Sequence, residues 1–201
     1  MWVHEGFTNY SETLFTEYYY GKEAGNDYNY GIRSRILNKT PIIGPYGVNK
    51  EGSGDMYYKG GNLLQLIRHS IDDDDKFRDI LRGLNKTFYH QTVNSSDMEH
   101  YISKKSGIDF SKVFDQYLRT VQIPELDYYF SKDNKEVYYR WDSCIAGFNL
   151  KLVIDKDNKK LILPATTEWK KLSLKEDNKT LFDTAYIDKN YYIRIKQTSA
   201  E

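Results

Sequence analysis

The spacing of hydrophobic residues divides this chain into two parts. From about residue 4 to residue 120, apolar side chains recur every three or four positions, as they do along one face of a helix. After Pro124 the period falls to two, which is typical of strands with one buried face. We therefore predict an α+β chain with a helical domain at residues 1–122 and a β domain at residues 123–201.

Three helices are predicted in the first part of the helical domain. The first runs from about His4 to Tyr20, and the second ends before Pro41, because proline disfavours helix at the residue before it. Residues 41–54 are rich in proline and glycine and predict a loop. A third helix begins at Asp55 and is apolar over a wide face, so it should lie at the centre of the domain.

The β domain is predicted to contain seven short strands. Alternating or apolar runs occur at residues 126–130, 137–141, 150–154, 161–163, 169–174, 180–187 and 191–195. Polar turn residues separate several of them. Short strands at this spacing favour an antiparallel β-sandwich.

Composition excludes several functional classes. The 201 residues carry 29 basic and 29 acidic side chains without a basic block, so we expect neither a nucleic-acid partner nor an acidic membrane partner. No apolar run is long enough to span a bilayer. Cys144 is the single cysteine, so any metal site must use nitrogen and oxygen ligands. Localisation stays open between extracytoplasmic or periplasmic and cytoplasmic compartments.

The first predicted helix has one apolar face and one polar face. At helical spacing the apolar stripe consists of Phe7, Tyr10, Leu14 and Tyr18. Glu5, Asn9 and Glu12 fall on another face, which places the carboxylate of Glu5 near the helix start and facing a polar neighbour. A metal ion or an amine suits that position.

The start of this helix also carries a motif. The order Trp-x-x-Glu-Gly-Phe-x-x-Tyr-x-Glu is matched by Trp2, Glu5, Gly6, Phe7, Tyr10 and Glu12. It resembles the downstream zinc-ligand motif of the gluzincin aminopeptidases of the aminopeptidase N and leukotriene-hydrolase type. The resemblance implies that Glu5 is the third protein ligand of a catalytic zinc ion.

In that family the other two ligands come from an upstream His-Glu-x-x-His helix, which this chain lacks. His4 and Glu5 look like the beginning of such a helix, but Thr8 stands where the second histidine would be needed. His4 also replaces the usual Asn or Asp before the ligand Glu. The resemblance therefore implies zinc in a full-length parent protein and no zinc in this chain alone.

A second motif lies at residues 55–61, Asp-Met-Tyr-Tyr-Lys-Gly-Gly. Tyr57, Lys59 and Gly60 match the Tyr-x-Lys-Gly segment of the same family, in which the tyrosine donates a hydrogen bond to the oxyanion of the tetrahedral intermediate. A phenol suits this task because it stays protonated at neutral pH. The resemblance makes Tyr57, and not Tyr58, the catalytic candidate, and it implies no organic cofactor.

A third match, Phe-Asp-Gln-Tyr-Leu-Arg at residues 114–119, resembles the end of the family's helical lobe. Residues 1–122 then correspond to the C-terminal, mostly helical lobe of a thermolysin-like catalytic domain, and residues 123–201 to a small immunoglobulin-like antiparallel β-sandwich. The implied activity is removal of N-terminal residues from peptides with a free N-terminus.

Taken alone, the chain is expected to be an inactive fragment of such a zinc metalloaminopeptidase. It is also expected to expose the face that bears Glu5 and Tyr57, which favours self-association. The alternative function is a non-catalytic interaction module that retains the peptidase fold. The presence of both Glu5 and Tyr57 argues against the alternative, because a scaffold needs neither side chain.

Overall fold

The computed structural model describes residues 1–45, 47–48, 51–156, 159–174, 182 and 184–199. It has mixed helix and sheet, as an α+β chain requires. The α-helices found in these residues are α1 (Trp2–Tyr20), α2 (Lys22–Gly31), α3 (Tyr58–Ile71), α4 (Asp74–Thr87), α5 (Ser95–Ser106), α6 (Ser111–Arg119) and α7 (Thr184–Asn190). Two short 3₁₀ helices, Ile32–Arg35 and Gly54–Met56, precede α3.

The strands begin after α6, and the predicted boundary between residues 122 and 123 falls in the connection that precedes them. They are β1 (Glu125–Phe130), β2 (Glu136–Asp142), β3 (Leu152–Lys156), β4 (Lys159–Leu163), β5 (Lys170–Ser173) and β6 (Arg194–Gln197). One sheet has the order β5-β2-β1-β6, and β3 pairs with β4 in a separate antiparallel hairpin.

Two features of the predicted β region are wrong. From Thr184 the predicted strand at residues 180–187 is the helix α7, while residues 180, 181 and 183 lie outside the described residues. A short apolar run does not distinguish a strand from a buried helix, and here Ile187 and Asn190 are buried at helical spacing. The arrangement is also not wholly antiparallel, because β6 pairs with β1 in parallel. A parallel neighbour needs a crossover connection, and α7 lies directly before β6.

The helical and strand regions share one hydrophobic core. Buried residues of α3 and α6 belong to the same cluster as those of β1, β2 and the segment before β6. Polar contacts also join the two regions: the Tyr117 hydroxyl donates to the carbonyl oxygen of Tyr192 at 2.6 Å, and Ser70 Oγ donates to that of Lys151 at 2.9 Å. The strands therefore support the helices from which the candidate site is built.

The apolar stripe predicted on α1 is correct at three of its four positions. Tyr10 is buried and Phe7 and Leu14 pack at the edge of the core, but Tyr18 is 82% exposed. Tyr18, Tyr19 and Tyr20 contact one another at the end of the helix instead of the core. No helix in the described part of the chain is both long and apolar enough to cross a membrane.

Helices α1 and α3 cross at a pair of glycines. A Cβ atom on Gly60 would lie 2.9 Å from Gly6 Cα, and one on Gly6 would lie 3.2 Å from both Gly60 Cα and the carbonyl oxygen of Met56. These neighbours are backbone atoms, which cannot rotate away as a side chain can. The motif glycines thus permit two helix backbones to touch.

We predict that Gly60→Ala destabilises the chain by ~1–3 kcal/mol, because the added methyl group forces the two helix backbones apart. Urea unfolding followed by circular dichroism measures this change. The matched control is Gly31→Ala, a helical glycine at which an added methyl group would have nothing within 4 Å. That change should be neutral or stabilising by up to about 1 kcal/mol, since alanine favours helix. Equal midpoints for the two variants would contradict the close crossing.

Candidate active site

Glu5 and Tyr57, the two residues singled out by the motifs, line one pocket. Glu5 is half-buried in the first turn of α1. Tyr57 is 39% exposed and stands between the second 3₁₀ helix and the start of α3. The pocket has a volume of about 270 Å³. The glycine crossing explains the proximity, because Gly6 follows Glu5 and Gly60 lies one turn after Tyr57.

The polar face predicted on α1 is confirmed as a wall of this pocket. Glu5, Asn9 and Glu12 all line it, and Asn9 Nδ2 donates to Glu12 Oε2 at 3.1 Å. The Tyr28 hydroxyl also donates to the Glu12 carboxylate. Burial and this carboxylate raise the pKa of Tyr28 to about 12. Glu12 is thereby held by two donors.

The negative charge of Glu5 is the main influence on Tyr57. It raises the pKa of the Tyr57 phenol above the usual value, with a smaller contribution from burial. An ordinary phenol is already protonated throughout the neutral range, and the raised pKa extends this range to higher pH. Tyr57 therefore presents an O–H donor beside a carboxylate, which is the protonation state that a hydrogen bond to a developing oxyanion requires.

The backbone before Tyr57 is held by Asp55, whose side chain is only 3% exposed. Its two carboxylate oxygens accept hydrogen bonds from the backbone N–H groups of Leu37 and Asn38, at 2.8 and 2.7 Å. Its own N–H donates to Ser53 Oγ at 3.2 Å. These bonds tie the irregular turn before α3 to the segment that follows α2.

Lys59 holds the backbone on the other side of Tyr57. Its side chain is 1% exposed, and Nζ donates to the carbonyl oxygen of Thr120 at 3.0 Å, just beyond the end of α6. Burial lowers the pKa of Lys59 to about 8, and the negative charge of Asp55 opposes the shift. The backbone at Tyr57 is thus held by one buried polar residue before it, Asp55, and one after it, Lys59.

Glu5 has no set of metal ligands around it in the described residues. The one described group of three close carboxylates is Glu125, Asp127 and Asp142, whose oxygens lie within 4.8 Å of one another and could hold a metal. Two of these acids already have cationic partners, since Asp127 pairs with Arg140 at 3.4 Å and Glu125 with Lys196 at 3.6 Å. Two of the three charges are therefore compensated without an ion, and no ion pair of Asp142 is found in the described residues.

The histidine side chains line other surfaces than the pocket of Glu5 and Tyr57, including that of His4, which adjoins Glu5 in the sequence. His4 and His90 line a more apolar groove between α1 and α4, and His100 contacts the carbonyl oxygen of Ser96 within α5. His69 lines a polar pocket bounded by α2, α3 and α7, where burial lowers its pKa to about 3. None of the four lines the pocket of Glu5 and Tyr57.

The acidic run at residues 72–75 lies at the start of α4, where acidic side chains favour the helix N-terminus. Asp73 is the N-cap residue, and its side chain accepts a hydrogen bond from the backbone N–H of Lys76 at 2.9 Å. Asp72 pairs with Lys160 at 2.6 Å, and Asp74 with Arg68 at 2.7 Å. Capping and ion pairing account for these three carboxylates.

Comparison with known proteins finds a similar fold among solved structures. No family model and no curated relative matches the chain. Among solved structures, it is similar to the crystal structure of Legionella pneumophila aminopeptidase A in complex with aspartic acid, with a TM-score of 0.61 and 16% identity. The match covers 98% of this chain and 24% of that chain.

This similarity shows a peptidase-like fold. The chain spans about a quarter of the length of the aminopeptidase that it resembles. At this level of identity the match concerns the fold, and the roles of Glu5 and Tyr57 still rest on their motifs and on the shared pocket.

Sequence reasoning missed three lining residues, Tyr28, Arg35 and Tyr58, which belong to the pocket along with Thr8. Tyr28 and Arg35 come from α2 and the 3₁₀ helix after it, outside both motifs. Tyr58 was set aside in favour of Tyr57, yet its hydroxyl accepts a hydrogen bond from Arg35 Nη1 at 3.1 Å. The sequence contains no periodic pattern that relates α2 and the 3₁₀ helix after it to the two motifs. They come together only through the packing of α2 against α1.

We predict that Lys59 makes stability rise with pH. Between its pKa of about 8 in the fold and its ordinary value of 10.5, the unfolded chain binds more protons than the folded chain. The free energy of unfolding should therefore increase across this window, by ~1–3 kcal/mol relative to a Lys59→Met variant, which lacks the titrating group.

Urea unfolding of both proteins at several pH values from about 7.5 to 10 measures the difference, and groups that titrate in both cancel. Lys104→Met is the matched control, since Lys104 is exposed on α5. It should retain the wild-type pH dependence. Parallel curves for wild type and Lys59→Met would show that Lys59 is not a buried ammonium of lowered pKa.

Proposed function

We propose that this chain acts as part of a zinc-dependent metalloaminopeptidase in which Glu5 binds the metal ion and Tyr57 stabilises the transition state. One observation carries the proposal: two motifs far apart in sequence place a carboxylate and a protonated phenol in the same pocket. The similarity to a solved aminopeptidase supports it at the level of fold.

The proposal also assigns the chain to two domains of the parent protein. Helices α1 to α6 correspond to the C-terminal half of a thermolysin-like catalytic domain of gluzincin type, and the strands that follow correspond to a small immunoglobulin-like domain. Support comes from the order of helices and strands and from the three motif matches. In this arrangement the remainder of the catalytic domain lies in other segments of a longer protein.

Glu5 alone meets only part of the requirements of a zinc site. A catalytic zinc site needs three protein ligands and an open position, and Glu5 supplies one carboxylate. The resemblance assigns the other two ligands to a His-Glu-x-x-His helix that these 201 residues lack. A bound zinc ion supplies a Lewis acid and a water molecule of lowered pKa. The chain alone should hold no stoichiometric zinc, because such a site draws its affinity from several converging ligands.

Tyr57 performs the step that this chain contributes. Attack on a scissile carbonyl places negative charge on its oxygen, and a nearby O–H donor stabilises that charge more than it stabilises the uncharged substrate. The Tyr57 hydroxyl is protonated at neutral pH, as an ordinary phenol is, and the negative charge of Glu5 raises its pKa further. The buried contacts of Asp55 and Lys59 hold the backbone from which Tyr57 projects.

The substrate we propose is a peptide with a free N-terminus. Glu5 and Glu12 give the pocket two carboxylates, which suits a site that handles a cationic amine. The solved neighbour is itself an aminopeptidase. Preference among N-terminal residues depends on segments beyond the two motifs.

We predict that Glu5→Ala, in a protein that carries this chain together with the upstream zinc-binding helix, lowers zinc affinity by orders of magnitude and removes most peptidase activity. Loss of one of three ligands explains both effects. Inductively coupled plasma mass spectrometry measures the zinc content, and circular dichroism confirms the fold. Glu23→Ala is the matched control, because Glu23 is an 86% exposed acid in the first turn of α2. Full zinc content in Glu5→Ala would leave the interaction module as the better hypothesis.

We predict that Tyr57→Phe in the same protein lowers kcat about 10²- to 10³-fold with little change in KM, the pattern of a group that bonds mainly to the transition state. Steady-state kinetics with a neutral aminoacyl p-nitroanilide measures both constants. Tyr58→Phe, the adjacent phenol, should lower kcat far less. A similar loss in the two variants, or a change confined to KM, is incompatible with Tyr57 as the oxyanion donor.

A further inference from the structure

The pocket of Glu5 and Tyr57 also has a cationic side, formed by Arg35. This residue ends the 3₁₀ helix Ile32–Arg35, and its side chain is exposed at the rim of the pocket. The motifs that identify Glu5 and Tyr57 do not include it. Its position therefore calls for a separate explanation.

Arg35 is held in place by the residue next to Tyr57. Its Nη1 donates to the Tyr58 hydroxyl at 3.1 Å, and its guanidinium carbon lies 5.3 Å from the centre of the Tyr58 ring. A long exposed side chain otherwise samples many rotamers, and these two contacts restrict it. The guanidinium thus keeps a defined position relative to Tyr57.

The neighbouring arginine has a structural role that Arg35 lacks. Arg33 is half-buried, and it donates to Asn62 Oδ1 at 2.7 Å and to the backbone carbonyl oxygens of Asp188 and Lys189 in α7. It joins the helical region to the strand region. Arg35, two residues later, makes no contact of this kind in the described part of the chain.

Arg35 is also without an ion-pair partner among the described residues. The exposed Arg78 is paired with Asp75 at 2.7 Å, whereas the exposed Arg82 and Arg194 have no ion pair among the described residues and lie outside this pocket. The nearby carboxylate of Glu12 is already held by the Tyr28 hydroxyl and by Asn9 Nδ2. The pocket therefore combines a guanidinium that has no direct ion pair with the two candidate catalytic residues, and Glu12 acts on it only through a longer-range charge interaction.

We propose that Arg35 binds a carboxylate of the peptide substrate and so favours acidic or very short peptides. A guanidinium has five N–H donors in a planar fork, of which the contact with Tyr58 uses one, so a bidentate pair with a carboxylate is open to it. This inference rests on the proposed peptidase function. The carboxylate has two possible sources, the side chain of an acidic residue or the C-terminal carboxylate of a dipeptide.

Two substrate pairs separate these sources in the protein that carries this chain with the zinc-binding helix. Glutamyl-p-nitroanilide against glutaminyl-p-nitroanilide tests the acidic side chain, and Ala-Ala against Ala-Ala-amide tests the terminal carboxylate. We expect wild type to prefer the carboxylate member of at least one pair in kcat/KM. Arg35→Gln should reduce that preference about 10-fold, mainly through KM, since the lost bond acts on binding. Arg78→Gln, the exposed control on α4, should retain it.

The outcomes separate this inference from the function on which it rests. Wild type that cleaves all four substrates without preference, or an Arg35→Gln variant that retains the preference, overturns the role of Arg35 and leaves the peptidase function standing. An equal loss on both members of each pair also overturns it, because it indicates a structural role. Wild type that cleaves none of the four overturns the peptidase function and this inference with it.

Discussion

The contact between Gly6 and Gly60 determines the geometry of the candidate site. Helices normally keep their axes apart by the width of the side chains between them, and two facing glycines remove that spacer. The Cβ positions of both residues are closed off by backbone atoms of the opposite segment. Since Glu5 adjoins one glycine and Tyr57 precedes the other by a turn, the contact that packs α1 against α3 also sets the relation between the two side chains.

Close packing of two helices does not by itself orient Tyr57, which lies in an irregular turn before α3 becomes regular. Asp55 and Lys59 supply that orientation from either side, and both are almost completely buried. Burying a charged group is unfavourable unless it is hydrogen-bonded, and each of these groups bonds to backbone atoms of a distant segment. The unfavourable desolvation of Lys59 is visible in its lowered pKa. A rigid support of this kind is what a catalytic side chain requires.

Sequence reasoning recovered the parts of the site that depend on local spacing. Glu5, Asn9 and Glu12 recur at helical intervals, so their common face follows from the helix period alone. The pairing of Glu5 with Tyr57 came from the motif resemblance, since no periodicity relates the two segments. Arg35 could not be predicted, because its position depends on how α2 packs and on a contact with Tyr58, neither of which leaves a pattern in the sequence.

In the strand region, too, only features with a local pattern were predicted. Most strands were predicted from their alternation, which reflects one buried face. The helix α7 and the parallel pairing of β6 were not predicted, because both depend on contacts with residues far away in the sequence. Arg33, for example, donates hydrogen bonds to the backbone of α7.

The setting of Tyr57 differs from that of the buried tyrosines, although Tyr28, Tyr30 and Tyr138 also donate to carboxylates outside the core. The hydroxyls of the buried Tyr10, Tyr117 and Tyr191 each donate to a neutral oxygen of the core, a side-chain amide in one case and backbone carbonyls in the others. Tyr57 differs from them, because it is partly exposed, lines a pocket, and has the charge of Glu5 as the main influence on its pKa. The arrangement of the three buried tyrosines is the one that a purely structural role favours, since each hydroxyl has its hydrogen-bond partner within the core. Tyr57 lies in a pocket that a ligand can enter, beside the carboxylate of Glu5 with which its hydroxyl interacts, and this is the setting of the transition-state donor that we propose.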